Sequence, residues 1–407
     1  MNITITPGRL AGSVTPPASK SQGHRLLLAA ALAEGESVLA GLSMSKDIQA
    51  TISCICALGA QVVQQADGLH VVGCGGRFDR RHGLFFDCGE SGSTLRFMIP
   101  ISLAVAGGGS FTGQGRLMER PMQPYFDIFQ EKDIYYARAD GKAGLEGELT
   151  PGDYRLPGDV SSQFVTGLLY ALPLLAGDSR IVITTTLESR AYVDMTLDAL
   201  AQFGVTACWE GEQTLLVPGN QNYRPACLSV EGDWSQAAFW YAARGLGSHV
   251  TVAGLNKTSK QGDRVIAEQI EKLIAPGDVT LDVSQCPDLV PALAAMAAVR
   301  QGRTHITNAA RLRMKESDRL AAVTQVLCNM GADVTEQPEG LCIVGKESLA
   351  GGVSVDSCND HRIAMMAAVA ATRCEQPVTV EGAQCVSKSY PSFWEDYEAL
   401  GGKIVRS

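Results

Sequence analysis

The sequence has no cysteine framework, no long apolar run and no surplus of positive charge, and each absence closes off a class of function. Twelve cysteines occur among 407 residues, but no C-x-x-C is present and Cys54 and Cys56 stand too close for the usual metal pair. Reduced thiols are therefore expected rather than disulfides or a zinc site. The apolar stretch from Phe164 to Ala176 contains Pro173 and falls short of the ~20 residues that a membrane span needs. The start, MNITITPGRL, has no basic segment followed by an apolar one, so a cytoplasmic location is expected. A formal net charge of −9 argues against a nucleic-acid or anionic-membrane partner. G-x-S-x-G, G-x-x-x-x-G-K-[ST] and H-E-x-x-H are all missing. Of six histidines, His70, His82, His249 and His305 read as ordinary surface or core residues, and His361 alone sits in a charged cluster. Neither a metal nor an organic cofactor is expected.

What is present is a globular composition, 45% hydrophobic and 19% charged, on a chain long enough for two or three domains. One phrase recurs: ALGAQVVQQADGLHVVG at 57–73, QFGVTACWEGEQTLLVPG at 202–219, NMGADVTEQPEGLCIVG at 329–345, and a truncated ALGGKIV from Ala399. In each, a helical stretch ends near a Gly, which fits a left-handed C-terminal cap, and alternating apolar residues then fit a half-buried hairpin. A second phrase precedes it: a polar start near Ser21, Ser91, Ser161, Ser235, Asp288 or Asp360, then an Ala- and Gly-rich helix, then a strand. Ser and Asp are preferred helix N-caps. Six such units imply an α/β fold of two domains. Each holds three βαβαββ-type repeats, with sheets surrounding interior helices. The linker from Asn220 to Gly232 places the boundary at 15–230 for one domain and 231–407 for the other. The residue pattern alone does not place residues 1–14.

Basic residues decorate those starts: Lys20 and Arg25, Arg96, and Arg362. A helix N-terminus carries unpaired N–H donors and partial positive charge, so a purely structural helix prefers Asp or Glu there. A solvated surface charge explains any one of these. Several at equivalent repeat positions are better explained by a ligand with several negative charges. GRLMERP adds Arg116, Glu119 and Arg120, and CVSKSYP adds Lys388. RMKESDRL puts Lys315 and Arg319 at i, i+4 beside Glu316, which reads either as an exposed ion-paired helix or as an acid, a base and a phosphate clamp.

SKSQGHR, ESGSTLR, GRLMERP, SSQF, SRAYVD, RMKESDRL, NDHR and CVSKSYP, occurring in that order, make the chain resemble the 5-enolpyruvylshikimate-3-phosphate synthase family from Ser19 to Pro391. The resemblance implies an enolpyruvyl transferase-like, inside-out α/β barrel, with residues 1–14 joining the second domain and the active site in the cleft between the two domains. It also implies carboxyvinyl transfer from phosphoenolpyruvate to the 5-hydroxyl of shikimate 3-phosphate by a monomer. Glyphosate would compete for the phosphoenolpyruvate pocket. Shikimate 3-phosphate would meet Lys20, Ser21, Arg25, Ser161, Ser162, Gln163, Ser189, Tyr192, Asp288 and Lys315. Phosphoenolpyruvate would meet Lys20, Gly92, Arg116, Gln163, Arg319, Arg362 and Lys388. Asp288 resembles the proton acceptor and Glu316 the residue that moves a proton at the vinyl carbon, with Lys20 and Lys315 completing the catalytic set. Gly92 is needed either for a positive φ or for close approach of ligand. The chain departs from the pattern at Glu90 and Phe97, and 130–154 matches it poorly and receives no role.

Two relatives of that fold are competing readings. A UDP-N-acetylglucosamine enolpyruvyl transferase would carry a reactive Cys in the loop at GQGRLMERP, and no Cys occurs between Cys88 and Cys208. An RNA 3′-terminal phosphate cyclase-like protein would need a basic stripe. A non-catalytic anion-binding repeat protein would not need Asp288 and Glu316 together.

Overall fold

The computed structural model describes residues 1–75 and 83–407; His82 lies outside the described residues. The chain divides into two compact units, Ala18–Glu231 and Met1–Pro17 with Gly232–Ser407. The N-terminal segment stays with the second unit as far as Pro17 for a local reason. Ala11–Val14 pairs in parallel with His249–Val252, and the amide of Asp233 donates to the carbonyl of Pro17.

Ala18–Glu231 holds three four-stranded sheets of one design. A parallel pair is extended by an antiparallel hairpin. In spatial order the strands are Cys227–Ser229, Glu34–Ala40, Leu69–Cys74 and Gln61–Gln64; then Phe85–Asp87, Gly108–Thr112, Lys142–Glu146 and Tyr135–Ala139; then Gly152–Leu156, Ser179–Ile183, Thr214–Val217 and Cys208–Glu210. The helices are α1 (Lys20–Leu32), α2 (Lys46–Ala57), α3 (Gly92–Ala106), α4 (Gln123–Glu131), α5 (Ser162–Ala171) and α6 (Arg190–Gln202). α1, α3 and α5 are buried on nearly every face, as their small side chains require, whereas α2 keeps a solvated face. α3 and α5 touch so closely that a Cβ on Gly167 would stand 2.3 Å from the Tyr125 hydroxyl and 2.5 Å from the Arg96 carbonyl.

The second unit contains two sheets of that design. One orders Val279–Asp282, Arg303–Thr307, Gly340–Val344 and Asp333–Gln337. The other orders Ser354–Asp356, Val378–Glu381, Ile3–Thr6 and Lys403–Arg406. The chain's first strand thus completes a hairpin with its last, Ile3 opposite Arg406. The helices are α7 (Trp234–Gly245), α8 (Ile266–Ile274), α9 (Val290–Ala297), α10 (Arg319–Asn329), α11 (His361–Ala371) and α12 (Phe393–Ala399); α9 and α11 are wholly buried. The fourth repeat is short. After α8 the chain runs directly into Val279–Asp282, so its sheet has two strands and no hairpin. Every sheet is open among the described residues.

The Gly of the recurring phrase is left-handed at all four positions, with φ of 105° at Gly59, 76° at Gly204, 101° at Gly331 and 87° at Gly401. In the second repeat Asp133 takes that place at φ 55°, between α4 and the hairpin at 135–146. Three helix starts differ from the sequence reading. Asp288 caps no helix: it lies in a 3₁₀ turn, Pro287–Leu289, ahead of α9, and its carboxylate is taken up by cations instead. The other two are α1 and α7. The caps are Ser19, which accepts from the Gln22 amide, and Asp233, which accepts from those of Ser235 and Gln236. Ser21 and Ser235 lie two residues further on, inside the first turn, because Ser19 and Asp233 already satisfy the first free amides. Among the described residues no disulfide joins any of the cysteines, and no described helix is long and apolar enough to cross a membrane.

Candidate active site

Each unit gathers charged residues at its helix starts. In Ala18–Glu231 the starts of α1, α3, α5 and α6 are tied by side-chain contacts. Lys20 opens α1 and its Nζ lies 2.8 Å from Oδ2 of Asp47, in the first turn of α2. Arg25, 3% exposed, donates from Nε to Thr196 Oγ1 at 2.9 Å and from Nη1 to the Ser21 carbonyl at 2.7 Å. Its Nη2 donates to the Tyr192 carbonyl at 2.9 Å and to Thr166 Oγ1 at 3.3 Å. These four bonds go to neutral oxygens, and among the described residues no carboxylate pairs with Arg25. Burial pulls its guanidinium down to about 10, with Tyr170 and Tyr192 opposing. A buried cation without a counter-charge is costly, so this pocket favours an anion.

Arg96, one turn into α3, donates from Nη1 to Oε1 of Gln163 at 2.7 Å, and Gln163 Nε2 donates to Ser93 Oγ at 2.9 Å. That fixes the Gln163 amide beside Gly92. A Cβ built on Gly92 would stand 3.7 Å from Gln163 Oε1 and 2.7 Å from Nη1 of Arg120. Gly92 is helical and not among the positive-φ glycines, so backbone conformation does not require a glycine there. Arg116 is half exposed and its described ion pair is with Glu119 at 3.6 Å. Arg120, four residues on, is the GRLMERP arginine that the structure brings to Gly92. Ser161 caps α5, its Oγ accepting from the Gln163 amide, and Ser162 is buried behind it. Ser189, at φ 55°, opens α6, and the Tyr192 ring lies 5.9 Å from the Arg25 guanidinium. The departures have places too. Glu90 lies against Gly115, and Phe97 is buried 5.5 Å from the Arg25 guanidinium.

In the other unit Arg319 opens α10 and is 1% exposed. Three carboxylates surround it. Asp288 Oδ1 accepts from Nη1 at 2.8 Å, Glu316 Oε2 from Nη2 at 2.6 Å, and Asp360 Oδ2 from Nε at 2.8 Å. Burial opposes its charge, yet Asp360, Glu316 and Asp288 together raise its pKa. Asp288 also meets Nη2 of Arg362 at 3.2 Å and Nζ of Lys315 at 3.6 Å. Burial alone would push the Asp288 carboxyl up; Arg362, Lys315 and Arg319 overcome it and hold the group well below the usual carboxylate range. Burial lowers the Lys315 ammonium, with Asp288 pulling the other way. Lys388, buried at the end of a short 3₁₀ segment, donates to the Asn359 carbonyl at 2.7 Å.

Sequence reasoning gave no site role to Asp47, to Arg120, which it noted only as a charge in GRLMERP, or to Asp360, which it noted only as a helix start. Asp360 is wholly buried and does two things. It caps α11 by accepting from the Arg362 amide, and it clamps Arg319, aided by a Ser317 hydroxyl at 3.1 Å. Its cap role was legible, but its second partner lies 41 residues away. The described residues contain no cluster of three metal-type ligands.

The EPSP synthase (3-phosphoshikimate 1-carboxyvinyltransferase) family profile matches residues 5–397. The chain is 46% identical over 419 residues to a 3-phosphoshikimate 1-carboxyvinyltransferase of Clostridium kluyveri, covering 99% of this chain and 98% of that protein. It is also 46% identical to its namesake from Clostridium acetobutylicum, with the same coverage. Among solved structures it is similar to EPSP synthase from Acinetobacter baumannii, with a TM-score of 0.81 and 25% identity over the whole of both chains. The enolpyruvyl transferase NikO from Streptomyces tendae shares the fold, with a TM-score of 0.78 at 17% identity over 100% of this chain and 98% of that one.

Proposed function

We propose a residue-level account of catalysis from one premise: the chain belongs to the EPSP synthase (3-phosphoshikimate 1-carboxyvinyltransferase) family. It transfers the carboxyvinyl group of phosphoenolpyruvate to the 5-hydroxyl of shikimate 3-phosphate and releases phosphate, by addition and elimination. The UDP-N-acetylglucosamine and RNA-cyclase alternatives are not favoured.

In the addition step the 5-hydroxyl oxygen bonds to C2 of phosphoenolpyruvate, its proton passes to Asp288, and C3 takes a proton from Glu316. In the elimination step C3 returns a proton to Glu316 and the C2–O bond to phosphate breaks, with Lys20 offsetting the charge on the leaving oxygen. Arg319, Arg362 and Lys388 serve the carboxylate and phosphate of phosphoenolpyruvate, with Gly92, Arg116 and Gln163. Arg25, Ser21, Ser161, Ser162, Gln163, Ser189, Tyr192 and Lys315 serve shikimate 3-phosphate. The observation that carries this reading is the Asp288 carboxylate held between Arg319, Arg362 and Lys315. It occupies donors that an anionic substrate would take. When a substrate anion claims them, Asp288 loses its stabilising charges and becomes a stronger base. Arg120, at the Gly92 helix start, joins the phosphoenolpyruvate set on the same argument.

Phosphate release from phosphoenolpyruvate, measured with shikimate 3-phosphate, with UDP-N-acetylglucosamine and with no acceptor, tests the reading. Release with the first alone is expected; equal release without acceptor would overturn it.

A further inference from the structure

His24 is fully buried on α1, one residue before Arg25, yet its Nε2 has no hydrogen-bond partner among the described residues. Its other ring nitrogen begins a chain that crosses three helices. Nδ1 lies 2.7 Å from Thr51 Oγ1 on α2, Thr51 Oγ1 lies 2.6 Å from Thr94 Oγ1 on α3, and Thr94 Oγ1 donates to Ser91 Oγ at 2.7 Å.

Each hydroxyl has one proton, so the direction of every bond follows. Thr94 spends its proton on Ser91, and Thr51 must therefore donate to Thr94. His24 must then donate from Nδ1 to Thr51, which leaves the bare lone pair on Nε2. Burial, with Lys20 and Arg25 nearby, holds the imidazole well below its ordinary pKa and keeps it neutral. Ser91 Oγ accepts twice, from the amide and the hydroxyl of Thr94, and keeps its own proton to donate. Ser91 is the cap of α3 and directly precedes Gly92.

The chain has a neighbouring rung. Lys20 and Asp47 pair between α1 and α2 one helical turn before His24 and Thr51, since both steps are i to i+4. The start of α3 is thus tied to the two helices that carry the Lys20–Asp47 pair.

We infer that His24 is a positioning residue for phosphoenolpyruvate. Through Thr51 and Thr94 it sets where the α3 start at Ser91 and Gly92 sits, and it directs the Ser91 hydroxyl proton to the bound anion. The inference rests on the reading of Gly92 as part of the phosphoenolpyruvate set. Loss of one hydrogen bond to a charged group corresponds to roughly a tenfold change.

The experiment is steady-state kinetics of Thr51→Val, which removes one hydroxyl in the middle of the chain at nearly constant volume. The expected result is a Michaelis constant for phosphoenolpyruvate raised roughly tenfold with that for shikimate 3-phosphate unchanged. Thr51→Ser should restore it. His24→Leu should reproduce the loss from the other end of the chain, and His24→Asn, whose amide can donate to Thr51, should recover it. The His24 pair decides the matter if Thr51→Val folds poorly. A rise in both Michaelis constants together, or in neither, overturns the inference. Gly92→Ala separates the two readings: if it leaves the phosphoenolpyruvate constant unchanged, the placement of Gly92 has failed, whatever Thr51→Val does.

Discussion

Arg319 donates to Asp288 at 2.8 Å while the same guanidinium donates to Glu316 at 2.6 Å, so one buried cation holds both carboxylates assigned to proton transfer. In Asp288→Asn the amide oxygen can still accept from Arg319, and the fold should survive. The amide cannot take the hydroxyl proton. Turnover should fall about a hundredfold to ten-thousandfold, the usual worth of a general base. Circular dichroism and kcat check both halves; near-normal turnover in a folded variant would leave Asp288 a structural role only.

The same contacts make stability depend on pH. Asp288 is held well below the usual carboxylate range, against the push of burial, by Arg362, Lys315 and Arg319. A depressed folded pKa contributes stability that is complete above the unfolded value of about 4 and is lost as pH falls through the folded value. Thermal melts of the native protein and Asp288→Asn between pH 2 and 7 should show a gap that is constant above about pH 4 and narrows below it. A gap that widens on acidification would contradict the assignment.

Gly92→Ala should leave the melting temperature nearly unchanged, because Gly92 is helical and Ala suits a helix. The new methyl would meet the Arg120 guanidinium at 2.7 Å and push aside the end of a flexible side chain. The Michaelis constant for phosphoenolpyruvate should rise. Inhibition by glyphosate, expected for the unmodified protein, should weaken further. A lowered melting temperature with unchanged glyphosate inhibition would point to a backbone role instead.

Arg25 reaches the Ser21 and Tyr192 carbonyls and the hydroxyls of Thr166 and Thr196 at once, a fork that a lysine cannot reproduce. Saturating shikimate 3-phosphate should raise the melting temperature of the native protein, since a ligand that binds only the folded state stabilises it. In Arg25→Lys that rise should shrink, and the Michaelis constant for shikimate 3-phosphate should increase at least about tenfold, given the 1.5–3 kcal/mol typical of charged hydrogen bonds. An unchanged ligand-induced shift would remove Arg25 from that site.

The sequence by itself determined the features that act over one turn of chain. Gly59, Gly204, Gly331 and Gly401 announced left-handed helix ends because a side chain is disfavoured there. Ser91, Ser161 and Asp360 announced caps because their oxygens reach an amide two or three residues on. Runs of Ala, Leu and Met announced helices buried on all sides. Where a local signal was replaced, the reading lost it. Asp133 stands where the phrase has Gly, and the hairpin at 135–146 went unseen, although Asp tolerates that conformation. Only the tertiary structure decided the rest. Ile3–Thr6 lies between strands from near the chain's other end, His24 meets Thr51 across 27 residues, and Arg319 meets Asp360 across 41. It also chose Arg120 over Arg116 as the neighbour of Gly92. No spacing rule connects such pairs, because their distance is set by how buried helices pack against one another.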